Sequence, residues 1–178
     1  SDFTYLTTIS DYLHGQNRIG LDSRWRLLPA GSASNIPAMV ALVGRALEVT
    51  VLADSGTGGA QRLQHLASSG LLDQSRLFFV GQTIGASRAD IEDLFAPEDY
   101  LQLYNGAFGT NLRVSDLQPG DRIIDRISRT TGQAFTDHGK PADYLLRNRD
   151  QLLPRFTPTT LDNFERLFEM INSTLSAV

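Results

Sequence analysis

Residues 49–53, Val-Thr-Val-Leu-Ala, form the segment that most restricts how this chain can fold. The segment is rich in β-branched residues and carries no charge, so it predicts a strand that is buried on both faces. Asp54, Ser55 and Gly56 follow directly and are typical of a turn. Because strands covered on both faces belong mostly to parallel sheets, the segment favours an α/β fold.

Strand and helix patterns alternate along the first 80 residues, which indicates a mostly parallel sheet flanked by helices. The predicted strands cover residues 25–28, 49–53 and 76–80, and the predicted helices here are 3–14, one beginning near Pro37, and 58–69. Residues 82–88 are predicted to form a loop. Farther along, the patterns predict a helical C-terminal part, with helices beginning at Pro97 and covering 121–129, 141–153 and 158–176.

The 178 residues suffice for one domain with a sizeable core, and 41% of them are apolar. Disulfides and thiolate metal sites are excluded because the chain has no cysteine. The longest apolar runs, such as residues 77–80, are far shorter than a membrane span. No signal peptide is visible, so we expect a cytoplasmic protein that makes no membrane contact. The net charge of −4 argues weakly against a protein that coats nucleic acid.

Carboxylates occur where the predicted strands end, at Asp54 and at the pair Glu92 and Asp93. In open α/β sheets, functional groups gather at the carboxyl ends of the strands. Rigid carboxylates at that edge suit a hard cation such as Mg²⁺. Two plainer interpretations stay open: Asp54 as a turn residue that bonds its own backbone, and Glu92 with Asp93 as a solvated helix face. A third candidate at this edge is the loop 32–35.

Residues 56–59, Gly-Thr-Gly-Gly, have the glycine content of a phosphate-binding loop. The segment lacks the Lys-Ser/Thr of a P-loop and the third glycine of a dinucleotide fingerprint. A flexible turn before a helix explains the segment better, although the helix N-terminus is still suited to meet a phosphate.

Lys140 is the only lysine beside 15 arginines, and it lies in the segment 137–141, Asp-His-Gly-Lys-Pro. Lysine supplies a compact ammonium that can sit against a phosphate, whereas arginine supplies a planar fork. Taken alone, Lys140 is equally compatible with an ordinary surface position. His138 next to an acidic residue is more often structural than catalytic.

Taken in order, six segments of the chain resemble the Toprim (topoisomerase–primase) nuclease domain of the overcoming-lysogenization-defect (OLD) family. Proteins of this family usually carry the domain after an ABC-type ATPase domain. The resemblance extends over nearly all of residues 1–178, so we expect a single Toprim-like domain from a larger chain. The segments with the highest specificity are Ile-Glu-Asp-Leu-Phe and Gly-Lys-Pro. The six segments are residues 1–3, 25–31, 35–37, 51–56, 89–95 and 139–141.

The resemblance implies a metal-dependent DNA endonuclease that uses Mg²⁺ or Mn²⁺ to hydrolyse phosphodiesters. Asp2, Asp54, Glu92 and, less directly, Asp93 would ligate the metal. Glu92 would also have a catalytic role, and Lys140 would face the scissile phosphate.

Two departures from the family pattern predict a weaker site. Gly56 stands where the family has the second acid of an Asp-x-Asp pair, so Ser55 and Gly56 could offer only an uncharged contact to metal or phosphate. The first strand and its catalytic glutamate would lie upstream of Ser1. We therefore expect little or no cleavage by this chain alone.

Three functions follow as hypotheses. The first is the nuclease domain of a bacterial, cytoplasmic, OLD-like ATP-dependent nuclease in phage defence. Its partners would be DNA and an ATPase domain of the same or a partner chain, and a homo-oligomer is one arrangement to consider. The second is a catalytically inactive Toprim-like module that positions DNA or binds an ATPase. The third is a small-molecule or nucleotide-binding α/β domain, supported by the strand-end acids and the glycines.

Overall fold

The structure is a computed structural model that describes residues 1–32, 34–44, 47–56 and 58–175. These residues form an α/β fold that is mostly helical, with eight α-helices and two β-strands. Ala33 in the predicted loop 32–35, Thr57 in the glycine segment and residue 176 of the last predicted helix lie outside the described residues. The elements are α1 (Asp2–Gly15), α2 (Ile36–Val43), β1 (Val51–Ala53), α3 (Gly58–Ser68), β2 (Leu77–Phe79), α4 (Val80–Ile84), α5 (Pro97–Phe108), α6 (Ile123–Thr131), α7 (Gly139–Leu152) and α8 (Pro158–Asn172).

The two strands pair in parallel, and helices cover both faces of the small sheet. Val51 lies opposite Leu77, and these two side chains pack with α2 and α3 in a small apolar cluster. Leu52 lies opposite Phe78, and both side chains point to the other face and pack against the main core. This alternation confirms the expectation of a strand pair buried on both sides.

The main core lies among α1, α5, α7 and α8. The helix predicted at residues 3–14 is α1, whose buried side chains include Tyr5, Ile9 and Leu13 at helical spacing. In the predicted C-terminal helix, now α8, Phe164 and Phe168 are fully buried. The hydroxyl of Thr157 caps α8 by accepting from the amide of Thr160, and proline occupies the first turn, as the sequence predicts.

A buried carboxylate joins the beginnings of α5 and α8. Asp99 is inaccessible to solvent, and its Oδ2 accepts hydrogen bonds from the amide of Thr157 at 2.9 Å and from the hydroxyl of Thr157 at 2.7 Å. The hydroxyl of Thr160 also donates to Oδ2. The same Asp99 side chain therefore holds the cap of one helix against the first turn of another.

Replacing Asp99 by alanine is expected to lower the free energy of unfolding by about 2–4 kcal/mol, because buried donors on Thr157 and Thr160 lose their acceptor. Urea denaturation of the purified variant measures the loss. The exposed neighbour Glu98 provides the control, and Glu98→Ala should change stability by less than about 0.5 kcal/mol. Equal losses of stability in the two variants would show that the buried hydrogen bonds of Asp99 do not stabilise the fold more than an exposed side chain does.

Two sequence predictions are wrong. Residues 25–28 do not form a strand. The guanidinium of Arg26 donates hydrogen bonds to the carbonyls of Ser23 and Trp25. The indole of Trp25 donates to the side chain of Asn172 on α8. The Arg26 contacts occupy nearby backbone carbonyls, the Trp25 contact ties the segment to α8, and Leu28 is largely exposed. The predicted loop 82–88 begins inside α4, which starts immediately after β2.

The remaining predicted helices are confirmed within a few residues at their ends. Pro97 begins α5 as expected, and α3, α6 and α7 cover the predicted regions. In the part of the chain that the structure describes, no helix combines the length and apolar character needed to cross a membrane.

Candidate metal site

The end of β1 is fixed by hydrogen bonds of the residue that follows Asp54. The amide of Ser55 donates to the carbonyl of Ala89 at 2.8 Å in an isolated antiparallel bridge. Its buried hydroxyl accepts from the amide of Gly81 at 2.7 Å. The bridge brings the segment that carries Glu92 alongside the strand end, so two residues far apart in sequence enter one site.

Glu92 and His138 form a hydrogen-bonded pair at this strand end. Glu92 lies in a 3-10 turn and is only 2% exposed, and its Oε1 is 2.8 Å from Nδ1 of His138. His138 precedes the first turn of α7, and its ring packs edge-on against Phe135. The hydrogen bond and the charge of Glu92 raise the pKa of His138.

The charges of three carboxylates act on Asp54, and we call Asp2, Asp54, Asp90 and Glu92 the acidic cluster. Asp2 is exposed in the first turn of α1, whereas Asp54 is partly buried. Burial, together with the charges of Asp90, Asp2 and Glu92, raises the pKa of Asp54 to about 7, while His138 opposes the rise. A bound cation would offset the repulsion that these charges exert on the carboxylate of Asp54.

Arg122 neutralises one member of the acidic cluster. Its Nη1 lies 3.1 and 3.0 Å from the two carboxylate oxygens of Asp90, which is 5% exposed. The rest of the guanidinium binds Asp125. Among the described residues, neither Asp54 nor Oε2 of Glu92 has a hydrogen-bond partner, so these oxygens are the ones available to a ligand.

Asp93, a predicted metal ligand, has both carboxylate oxygens engaged by backbone amides. Oδ2 accepts from the amide of Asp90 at 2.8 Å, and Oδ1 accepts from the amide of Ile123 at 2.6 Å. Burial raises the pKa of Asp93 to about 6, and these two hydrogen bonds oppose the rise. Asp93 therefore holds the 3-10 turn against the beginning of α6, and the charges of Asp90 and Glu92 also contribute to its raised pKa.

Lys140 lies in the first turn of α7, two residues after His138, but its ammonium group faces elsewhere. Its Nζ lies 5.2 Å from the centre of the Phe108 ring and 3.9 Å from Oδ2 of Asp137. The side chain is more than half exposed. The structure forms no ion pair between Lys140 and the described residues of the acidic cluster.

Gly56 lies where the family pattern would place a second acid, and its backbone explains why glycine is there. Its φ is +71°, a conformation that side-chain-bearing residues rarely adopt. A Cβ would lie 2.5 Å from Cγ of Arg88 and 3.0 Å from the carbonyl oxygen of Ser87. A carboxylate at this position would be strained and crowded, so this chain has one acid fewer at the strand end.

The residues present fit a single hard cation better than a closed protein cage. Among the described residues, no three His, Cys, Asp or Glu side chains converge on one point. Mg²⁺ commonly binds through one or two carboxylates and retains several waters, so such convergence is not needed. Asp54 and Glu92 supply the free carboxylate oxygens, with Asp2 nearby on the exposed side.

Sequence reasoning missed Asp90 and gave too little weight to His138. Asp90 lies in the same segment as Glu92, and its position directly after the bridge residue Ala89 becomes informative only once that bridge is known. His138 lies two residues from Lys140, so the side chain that pairs with Glu92 comes from the segment that contains Gly-Lys-Pro.

The metal-free protein is expected to become more stable as the pH falls from about 8 to about 5, by about 1–3 kcal/mol. The pKa of Asp54 is raised to about 7 in the fold, so the folded state binds a proton here that the unfolded chain does not. The raised pKa of His138 and that of Asp93, which burial raises to about 6, act in the same direction. The lowered pKa of Glu165, caused by its hydrogen bond with Arg18, matters only at more acidic pH.

Urea denaturation in EDTA at several pH values measures this gain. In Asp54→Asn the gain should shrink, because the amide does not titrate. A parent chain that loses stability over the same interval would contradict the burial of Asp54 among like charges.

No protein-family model, no curated protein and no solved structure matches the chain. The candidate site is therefore defined by contacts within this molecule. The charges of Asp2 and Glu92 act on Asp54, while Asp93 binds backbone amides and the ammonium of Lys140 lies near Phe108 and Asp137.

Proposed function

We propose that this chain is a Toprim-like, metal-dependent DNA endonuclease domain of an OLD-like ATP-dependent nuclease. The observation that carries the proposal is the shared acidic cluster of Asp54 and Glu92, where burial and neighbouring carboxylates raise the pKa of Asp54 to about 7. Concentrated carboxylates with free oxygens are suited to divalent cations and to phosphoryl chemistry. In this proposal the protein acts in the bacterial cytoplasm, on DNA and with an ATPase domain.

Mg²⁺ or Mn²⁺ would be held by Asp54 and Glu92, with Asp2 as a further contact. When bound, such an ion activates water and stabilises charge on the scissile phosphate. The acidic cluster would otherwise repel DNA phosphates, so productive DNA binding should require the ion.

The surrounding residues have separate parts in this proposal. Arg122 holds the carboxylate of Asp90 in place through two contacts of about 3 Å. His138 is fixed through Nδ1 on Glu92, and its Nε2 has no partner among the described residues, so it can exchange a proton there. The exposed ammonium of Lys140 is assigned to a DNA phosphate beside the site.

Plasmid cleavage in Mn²⁺, with EDTA as the metal-free control, tests the proposal. The comparison includes this chain and an extended version that carries the upstream strand and glutamate implied by the family resemblance. We expect metal-dependent cleavage by the extended version and little or none by this chain. Lys140→Ala in the extended version should abolish cleavage, because the substitution removes the ammonium assigned to that DNA phosphate, and full cleavage would remove the assignment.

A catalytically inactive Toprim-like module is the second candidate. It is favoured by Gly56, whose backbone disfavours the second family acid, and by the engagement of both Asp93 oxygens with backbone amides. Metal binding without cleavage by either version would support this candidate. The module would then position DNA or contact an ATPase.

A further inference from the structure

A cleft that the proposed reaction does not use lies at the carboxyl ends of β1 and β2. Its volume is about 370 Å³, and Ser55 and Gly56 form the wall nearest to Asp54. This edge is where ligands bind in open α/β folds. The cleft therefore lies beside the acidic cluster, on the side reached by the chain after Asp54.

Two glutamine amides give the cleft its polar character. The side chain of Gln64 is exposed and has no hydrogen-bond partner among the described residues. The Oε1 of Gln82 accepts from the amide of Phe79 at 2.8 Å, which leaves its NH₂ group available. Together the amides present donors and an acceptor, the groups that pair with the edge of a nucleobase.

The remaining walls are apolar or small. Phe79 contributes a half-buried aromatic ring, and Ala86 and several glycines keep the cleft open. At Gly81 a Cβ would lie 2.0 Å from the carbonyl oxygen of Ala86 and 2.6 Å from the hydroxyl of Ser55. A larger residue there would distort the wall as well as narrow the cleft.

No charged side chain of the described residues lines the cleft. A phosphate would find no compensating cation there, whereas a flat, uncharged group with hydrogen-bonding edges would find an aromatic ring and two amides. Pockets of a few hundred Å³ hold small planar ligands of this kind. The chemistry of the walls thus excludes the anionic part of a nucleotide and suits its base.

We propose that this cleft binds one nucleobase, from a DNA strand whose backbone passes the acidic cluster. The assignment to a substrate strand rests on the proposed function, whereas the recognition of a base rests on the cleft alone. A free nucleotide presents the same base, so the experiment must separate a strand from a mononucleotide.

The test uses the full chain in EDTA, so that neither metal binding nor cleavage enters the result. Backbone amide resonances of Gly81, Gly85 and Ser87 are followed by NMR during titration with the uncharged nucleosides thymidine and deoxyadenosine, and with 2-deoxyribose. We expect saturable shifts with at least one nucleoside and none with the sugar. The absence of saturable shifts up to about 10 mM, or equal shifts with the sugar, would overturn the inference.

Matched variants locate the binding. Gln64→Ala removes the unpartnered amide, and Ser87→Trp fills the mouth of the cleft from an exposed position. Each should weaken nucleoside binding at least tenfold. Gln102→Ala and Ser115→Trp change exposed residues of the same types elsewhere and should leave binding unchanged. If both cleft variants bind nucleoside with the parental affinity, the base does not bind in this cleft and the proposal is overturned.

A dinucleoside monophosphate and a mononucleotide then separate the two sources of the base. Tighter binding of the dinucleotide supports a strand, while tighter binding of the mononucleotide overturns the strand and leaves a site for free nucleotide. Base binding by this chain without plasmid cleavage by the extended version would reject the nuclease and retain the cleft. Cleavage by the extended version without base binding would retain the nuclease and reject the cleft as a base-binding site.

Discussion

Asp54→Asn and Glu92→Gln are each expected to lower metal-dependent DNA cleavage by about a hundredfold or more, because each removes a carboxylate that we propose as a metal ligand. Both substitutions preserve size and remove the charge. Neither should unfold the protein, since Asp54 has no hydrogen-bond partner among the described residues and the amide of Gln can still meet Nδ1 of His138. The expected effect is therefore on catalysis and not on the fold.

Initial rates of plasmid nicking in Mn²⁺, in the extended version described above, measure this loss. Asp143→Asn and Asp150→Asn serve as controls because both aspartates are exposed on α7 and lie outside the acidic cluster. The controls should retain the parental rate. Parental rates in folded Asp54→Asn and Glu92→Gln would contradict the assignment of the site.

Phe164→Ala is expected to lower the free energy of unfolding by about 3–5 kcal/mol. Phe164 is fully buried in α8, and its ring centre lies 5.0 Å from that of Phe95 in an edge-to-face arrangement. Phe95 directly follows the 3-10 turn that carries Glu92. Removing the Phe164 ring would leave a cavity beneath this turn, so the same variant should also loosen the candidate site.

Urea denaturation measures the loss of stability for Phe164→Ala. Phe3→Ala is the matched control, since the Phe3 side chain is 46% exposed and its removal should cost about 1 kcal/mol or less. A small loss at Phe164, equal to that at Phe3, would contradict the placement of α8 in the main core.

Local signals in the sequence identified the helices well. In α8 a capping threonine, a proline in the first turn and apolar side chains at helical spacing all indicate the same element. The uncharged composition of residues 49–53 predicts the strand at Val51–Ala53, because strands that are covered on both faces rarely contain charged residues. These features depend on residues that are close together along the chain.

Contacts between distant residues could not be predicted in the same way. Residues 25–28 have the composition of a strand but do not form one. Trp25 donates a hydrogen bond to Asn172, and Arg26 donates to nearby carbonyls. No local pattern indicates that Ser55 and Ala89 form an isolated bridge, which aligns the strand end with the segment that carries Glu92.

Candidate site residues were predicted by type and position, but not by orientation. The charge of Glu92 raises the pKa of Asp54, whereas Asp93, directly after Glu92, turns its oxygens to backbone amides. Adjacent residues on a 3-10 turn point in different directions, so two neighbouring acids cannot both be assigned to a metal from sequence alone.

The binding of Mn²⁺ to the acidic cluster tests the central claim most directly. Electron paramagnetic resonance of free Mn²⁺ during titration gives the affinity of the chain without requiring DNA or cleavage. We predict saturable binding that strengthens from about pH 6 to about pH 8, as Asp54 loses its proton. Asp54→Asn should bind at least about tenfold more weakly, while Asp143→Asn should bind like the parent. Absence of binding by the parent, or equal binding by Asp54→Asn, would contradict the account.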